Sequence, residues 1–269
     1  MKLSKMFKIG AVALMVTSLC FVGCKSEEDD DENNMLSGSN NNYSISYKNE
    51  GTSVSRGYKT TTFKHLGSLC QMTMSKDSAN AGAMGYIWDL ESNSARAEKD
   101  PRRFFIIGFN YTGSVIKPYV SMYKNVTDIQ LQNFGATGQK ETGANTTANG
   151  ATEKEYIALG SKSLTQAPDA DGNIVLTVDV KEGTDASGNY DGTYIVNIYN
   201  GKYEKNALPS VADASTIIPA ADVGYLAAGT SKGDRQKNGA VYANVYAGKT
   251  LTGSWKYLDT YSSDEVVEE

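Results

Sequence analysis

"RFFIIGFNYT" at residues 103–112 and "KPYVSMYKNV" at 117–126, joined through "GSVI" at 113–116, decide the fold of this chain. In the first stretch Phe105, Ile107 and Phe109 recur at every second position; in the second, Tyr119, Ser121 and Tyr123 do. A two-residue period is that of a strand, whose side chains alternate between two faces, and not the 3.6-residue period of a helix. Aromatic and β-branched residues suit a pleated, half-buried surface, and the Gly-Ser between the runs suits a tight connection. The two stretches read as neighbouring antiparallel strands.

The same signature extends outward in both directions. Upstream stand "SLCQMTMS" (68–75) and "AMGYIWDL" (83–90). Downstream, "GNIVLTVDV" (172–180) places Ile174, Leu176 and Val178 on one face, and "GTYIVNIYNG" (192–201) does so with Tyr194, Val196 and Ile198. "VGYLAAG" (223–229), "AVYANVYAG" (240–248) and "LTGSWKYLD" (251–259) complete the set. Composition agrees, with 17 Tyr and 26 Gly against 5 Pro, and helical patterns do not alternate with the strands, which argues against an α/β fold. The expectation is an all-β, antiparallel β-sandwich, a jelly roll being one form of it, in a single domain over residues 43–269. Residues 133–153, rich in Gly, Thr and Asn, read as a long surface loop. "EKEYIALGSKSL" (153–164) suits a short helix, and residues 207–224 an irregular connection.

The amino terminus has a different character. Met1 to Lys8 holds three lysines and no acid, and Ile9 to Val22 is almost wholly apolar. A basic segment followed by a short apolar one is the pattern of a secretory signal peptide. It ends Phe21-Val22-Gly23-Cys24, which resembles the lipobox of bacterial lipoproteins, spirochaete (treponeme-like) lipoproteins in particular, where a bulky residue is tolerated at the Phe21 position. The resemblance implies cleavage before Cys24, fatty acyl chains such as palmitate on that cysteine, and anchorage in the cell envelope, at the outer membrane. Two or three acyl chains hold a protein on a bilayer where one is marginal. Six consecutive acids, Glu27 to Glu32, follow, and residues 24–42 have no hydrophobic period. Such a segment buries too little apolar area to offset chain entropy and reads as a disordered tether.

Loss of the three lysines in residues 1–23 takes the formal charge from −5 to −8. That argues against nucleic acid as a partner, which needs a concentrated basic surface. With Cys24 lipidated, Cys70 is the one thiol left among the three cysteines once Cys20 departs with the signal, so packing alone must hold the fold.

Catalytic patterns are sparse. His65 is the single histidine, so no His-rich zinc site can form, and no Gly-x-Ser-x-Gly elbow or phosphate-binding loop is present. Asp89 and Glu91, two apart in "WDLES", are the candidate carboxylate pair for a polysaccharide hydrolase. "DADGN" (169–173) resembles half of a calcium loop, but the closing carboxylate of a twelve-residue loop would fall on Val180; it and "DASGNYDG" (185–192) read as hairpin turns, with no metal and no cofactor expected. Trp88, Tyr119, Tyr123 and Trp255 offer flat rings that stack on sugars or dock on proteins, although alternation sends about half of such rings into a core. The succession "GYIWDL…RFFIIGFN…KPYVSMYKNV" resembles the central strands of concanavalin-like lectin jelly rolls, which implies a fold and not a ligand. The expected function is non-enzymatic: a lipid-anchored envelope module recognising a glycan, a host component or another envelope protein. The alternatives are a hydrolase on a lectin-like sandwich and an accessory subunit of an envelope assembly.

Overall fold

The computed structural model describes residues 35–90, 102–126, 141–142, 152–223 and 237–261. They form fourteen strands: β1 (Leu36–Ser39), β2 (Asn42–Lys48), β3 (Ser55–His65), β4 (Ser68–Ser75), β5 (Gly82–Leu90), β6 (Arg102–Tyr111), β7 (Ile116–Val126), β8 (Glu141–Thr142), β9 (Thr152–Ile157), β10 (Asn173–Thr184), β11 (Tyr190–Asn200), β12 (Ala214–Ile218), β13 (Lys237–Val245) and β14 (Thr250–Asp259). The described residues make an antiparallel β-sandwich of two seven-stranded sheets. The first sheet runs β1-β2-β14-β4-β10-β11-β12 and the second β8-β3-β13-β5-β6-β7-β9.

Two meanders, β5-β6-β7 and β10-β11-β12, come from neighbouring strands, as the sequence pattern demands. Elsewhere the chain crosses repeatedly between sheets. The last hairpin is split between them, with β14 inserted between β2 and β4 and β13 between β3 and β5. This interleaving of the two chain ends is the wrapped, jelly-roll manner of building a sandwich.

Alternation along each strand sends one row of side chains between the sheets. Met72, Met74, Ile174, Leu176, Val178, Tyr194, Val196 and Ile198 from the first sheet meet Tyr86, Trp88, Phe105, Ile107 and Phe109 from the second in one buried cluster. Cys70 belongs to it, and burial raises its thiol well above the ordinary range, so it packs as a small hydrophobe. A second apolar cluster lies on the outward face of the second sheet and includes Tyr58, Ile87, Phe104, Tyr119 and Tyr242.

Four expectations differ from the fold. The sequence pattern extends the tether to Asn42, but β1 starts at Leu36, because Met35 and Leu36 find buried places beside the alternating Tyr43 and Ile45 of β2. The segment read as a short helix opens with β9, which pairs with the edge of β7. Within the connection at 207–224, Ala214–Ile218 is a strand on the edge of β11, followed by one helical turn at Ala220–Val223. Glu141–Thr142, inside the stretch read as a loop, pairs with Ser55–Arg56. Residues 1–34, most of 133–151, and 224–229 lie outside the described residues, and with them the signal segment, Cys24, the acidic run and "GYLAAG".

Candidate binding site

The outward face of the first sheet is polar and carries a cleft of about 440 Å³. Its floor is two registered rows of side chains. One row runs Asn42–Lys256–Gln71 across β2, β14 and β4 and continues beneath the wall to the fully buried Thr177 of β10. The next runs Ser44–Ser254–Thr73–Val175 across the same four strands. Each residue is the alternate of a core neighbour, as Ser254 and Lys256 are of Trp255, so the core and the cleft follow from one pleat.

The walls are two loops. Asp169 and Asp171 stand on the turn that enters β10. Asp169 Oδ1 accepts the backbone N–H groups of Asp171 and Asn173 at 3.0 and 2.8 Å, and Gly172 takes the positive φ of +77° that the turn requires. The sister turn in the β10–β11 hairpin repeats this, with Asp185 Oδ1 accepting from Ser187 and Asn189 and Gly188 at φ +82°. These two stretches are therefore turns whose carboxylates are engaged with their own backbone. No group of three or more His, Cys, Asp or Glu suited to a metal ion occurs among the described residues.

The opposite wall holds Lys202 on the chain that leaves β11. Thr177 Oγ1 donates to the Gly201 carbonyl at 2.8 Å, Tyr203 N–H donates to Thr177 Oγ1 at 3.1 Å, and Gln71 Nε2 donates to the Tyr203 carbonyl at 2.9 Å. The backbone on both sides of Lys202 is thus pinned to the floor. Gln71, 4 % exposed, spends its amide nitrogen on that bond. Beyond it a second anchor closes the same loop: Lys205 Nζ lies 2.6 Å from Asp259 Oδ2, and Tyr261 donates its hydroxyl to the fully buried Asp179 at 2.6 Å. Burial pushes the Asp259 carboxyl upward, but the Lys205 contact and the N–H groups of Tyr261 and Thr260 outweigh it and hold the carboxyl below its ordinary value.

The aromatic candidates are distributed differently. Trp88 is 2 % exposed and sits between the sheets, 4.2 Å from Tyr194 and 4.9 Å from Phe105 by ring centroids. Trp255 is 1 % exposed; its strand crosses the cleft floor, but its indole points through the core and donates to the Gly85 carbonyl at 2.6 Å. Neither offers a ring face to a ligand. Tyr119 and Tyr123 share the outward face of the second sheet, where Tyr119 belongs to the apolar cluster there and Tyr123 stacks on Phe104 at 5.2 Å. The structure therefore brings those two together and separates them from the tryptophans. Asp89 lies in β5, but its side chain, that of His65 and the whole of Glu91 fall outside the description.

Nothing in the sequence pattern singles out the cleft residues. Ser44, Thr73, Ser254 and Lys256 are ordinary outward alternates, and only the splitting of the last hairpin brings them together.

No protein-family model and no curated protein matches the sequence. Among solved structures, the chain is similar to that of the kappa-carrageenase from Pseudoalteromonas carrageenovora in complex with an oligotetrasaccharide of kappa-carrageenan. The identity is 6 %, covering 83 % of this chain and 80 % of that one, with a TM-score of 0.36. A likeness at that level assigns neither residues nor activity.

Proposed function

We propose that the chain is a lipid-anchored module of the bacterial cell envelope that binds a polyhydroxylated ligand, a glycan, in the cleft on its first sheet. The observation that carries this reading is the cleft: hydroxyls of Ser44, Thr73 and Ser254, the amide of Asn42, and charged groups on both walls, arranged on rigid strands. Sugars present alternating hydroxyl donors and acceptors, and a wall of fixed side-chain hydroxyls, amides and carboxylates matches them without a large reordering cost. Binding without turnover fits the engagement of Asp169 with its own turn, which takes up one of its carboxylate oxygens.

Anchorage at Cys24, cleavage before it, and an acidic tether up to the first strand fit the sequence of the amino terminus. On this reading the sandwich is tethered at the outer membrane of a diderm envelope. Mass spectrometry of the native protein tests this half: an amino-terminal Cys24 carrying acyl chains is expected, and an unmodified Cys24 refutes it.

A glycan array probed with the full chain tests the other half. Retention of a defined set of oligosaccharides, recovered intact, is the expected result. Recovery of shortened products turns the reading to the hydrolase alternative, with Asp89→Asn and Glu91→Gln as the variants to assay. Silence across the array together with capture of one envelope protein in intact-cell crosslinking turns it to an accessory subunit.

A further inference from the structure

We infer that the ligand of the cleft is an acidic saccharide, held in one direction with its anionic group between Lys202 and Lys256. This rests on the glycan reading above and adds polarity to it.

The cleft has two ends of opposite charge. Lys256 lies in the row with Gln71, and Lys202 is fixed beside that row by the bonds of Thr177 and Gln71 to its flanking backbone. Asp169 and Asp171 stand at the other end, next to Asn173. From Gln71 to Ser75, the partner of Asn173, is four residues along one strand, about 13 Å. That is roughly the length of a di- or trisaccharide laid along the strands.

The two lysines are free to act on a ligand. The ion pairs among the described residues join Lys48 to Glu50, Lys154 to Asp222, Lys181 to Asp179 and Lys205 to Asp259, so the nearby Lys181 and Lys205 are engaged while Lys202 and Lys256 are not. Asp169 and Asp171 likewise make no ion pair there, although the acids stand in the same cleft. Their separation leaves two ammonium groups to meet one carboxylate or sulfate ester, and two carboxylates to accept sugar hydroxyls. The middle row, Ser44–Ser254–Thr73–Val175, is uncharged and suits the intervening ring. A chain whose formal charge is −5, and −8 without residues 1–23, repels anions at long range, so selection of an acidic ligand depends on these two positions.

The test measures binding of three trisaccharides of equal length to the full chain in detergent: trigalacturonate, a sulfated galactose trimer and the neutral galactose trimer. Tighter binding of one of the charged trimers than of the neutral one is expected, and which one distinguishes carboxylate from sulfate. Lys202→Ala/Lys256→Ala should weaken the charged trimer at least about tenfold while the neutral trimer changes little. Lys256→Arg should retain binding, and an unchanged thermal midpoint in each variant excludes misfolding. Equal binding of all three trimers, with no effect of the lysine variants, overturns the acidic ligand and leaves the glycan reading standing. Failure of every trimer and of the wider glycan array removes both.

Discussion

The indole Nε1 of Trp255, on the last strand of the first sheet, donates to the carbonyl oxygen of Gly85 in the second at 2.6 Å. A buried side chain of one sheet thereby bonds the backbone of the other, in addition to filling the space between them. Trp255→Phe keeps most of the volume and removes the donor, and should cost about 1–3 kcal/mol as a buried carbonyl loses a partner. Trp255→Ala should cost about 3–5 kcal/mol, since it also opens a cavity. Urea unfolding midpoints of the two variants separate the hydrogen bond from the packing.

Gly85 itself tests how closely the strands approach. A Cβ there would lie 2.5 Å from the Ile107 carbonyl oxygen and 2.8 Å from the Cα of Gly108, both backbone atoms that cannot swing aside. Gly85→Ala should therefore destabilise by about 1–3 kcal/mol or more, as overpacking does. Gly188 supplies the contrast, because nothing lies within 4 Å of an added Cβ and the cost comes from φ +82° alone. Gly188→Ala should cost about 1–2 kcal/mol, while Gly188→Asn should be better tolerated.

Alkaline pH acts on the core through its tyrosines. Burial raises Tyr86 and Tyr257 well above the ordinary value of 10, and it raises Tyr261, next to the Asp179 carboxylate, as well. A group whose folded value lies above its unfolded one contributes stability that is complete below the unfolded value and is lost as pH rises toward the folded one. The fold should hold to about pH 10 and then unfold cooperatively, tyrosinate absorbance rising with the loss of circular dichroism. Titration of all the tyrosines near pH 10 with the dichroism intact would contradict the burial of these rings. At the acid end the sign reverses: the lowered Asp259 carboxyl contributes stability present above its unfolded value and lost as pH falls through the folded one. Lys205→Ala should reduce that acid-side contribution.

Much of the sandwich was legible because burial writes a period of two into the strands. Phe105, Ile107 and Phe109, and likewise Tyr194, Val196 and Ile198, face the core as their spacing required. β9 and β12 were less legible because they are short edge strands, with exposed residues such as Ile217 breaking the pattern. The aromatic candidates show the limit differently. Spacing assigns Tyr119 and Tyr123 to one face, but which face turns outward, and whether Trp88 and Trp255 meet solvent, depends on the opposing sheet. The cleft was not legible at all, since its floor joins residues near positions 44, 73, 175 and 254 through strand order rather than local spacing.

Thr73 stands half-buried at the centre of the cleft floor, between Ser254 and Val175, and Thr73→Trp would fill the space a ligand needs. Titration calorimetry of the full chain with an oligosaccharide retained on the array, comparing wild type with Thr73→Trp at matched unfolding midpoints, tests the site most directly. Loss of affinity by at least about tenfold, some 1.4 kcal/mol, is predicted. Undiminished affinity in a folded Thr73→Trp protein would contradict ligand binding in this cleft.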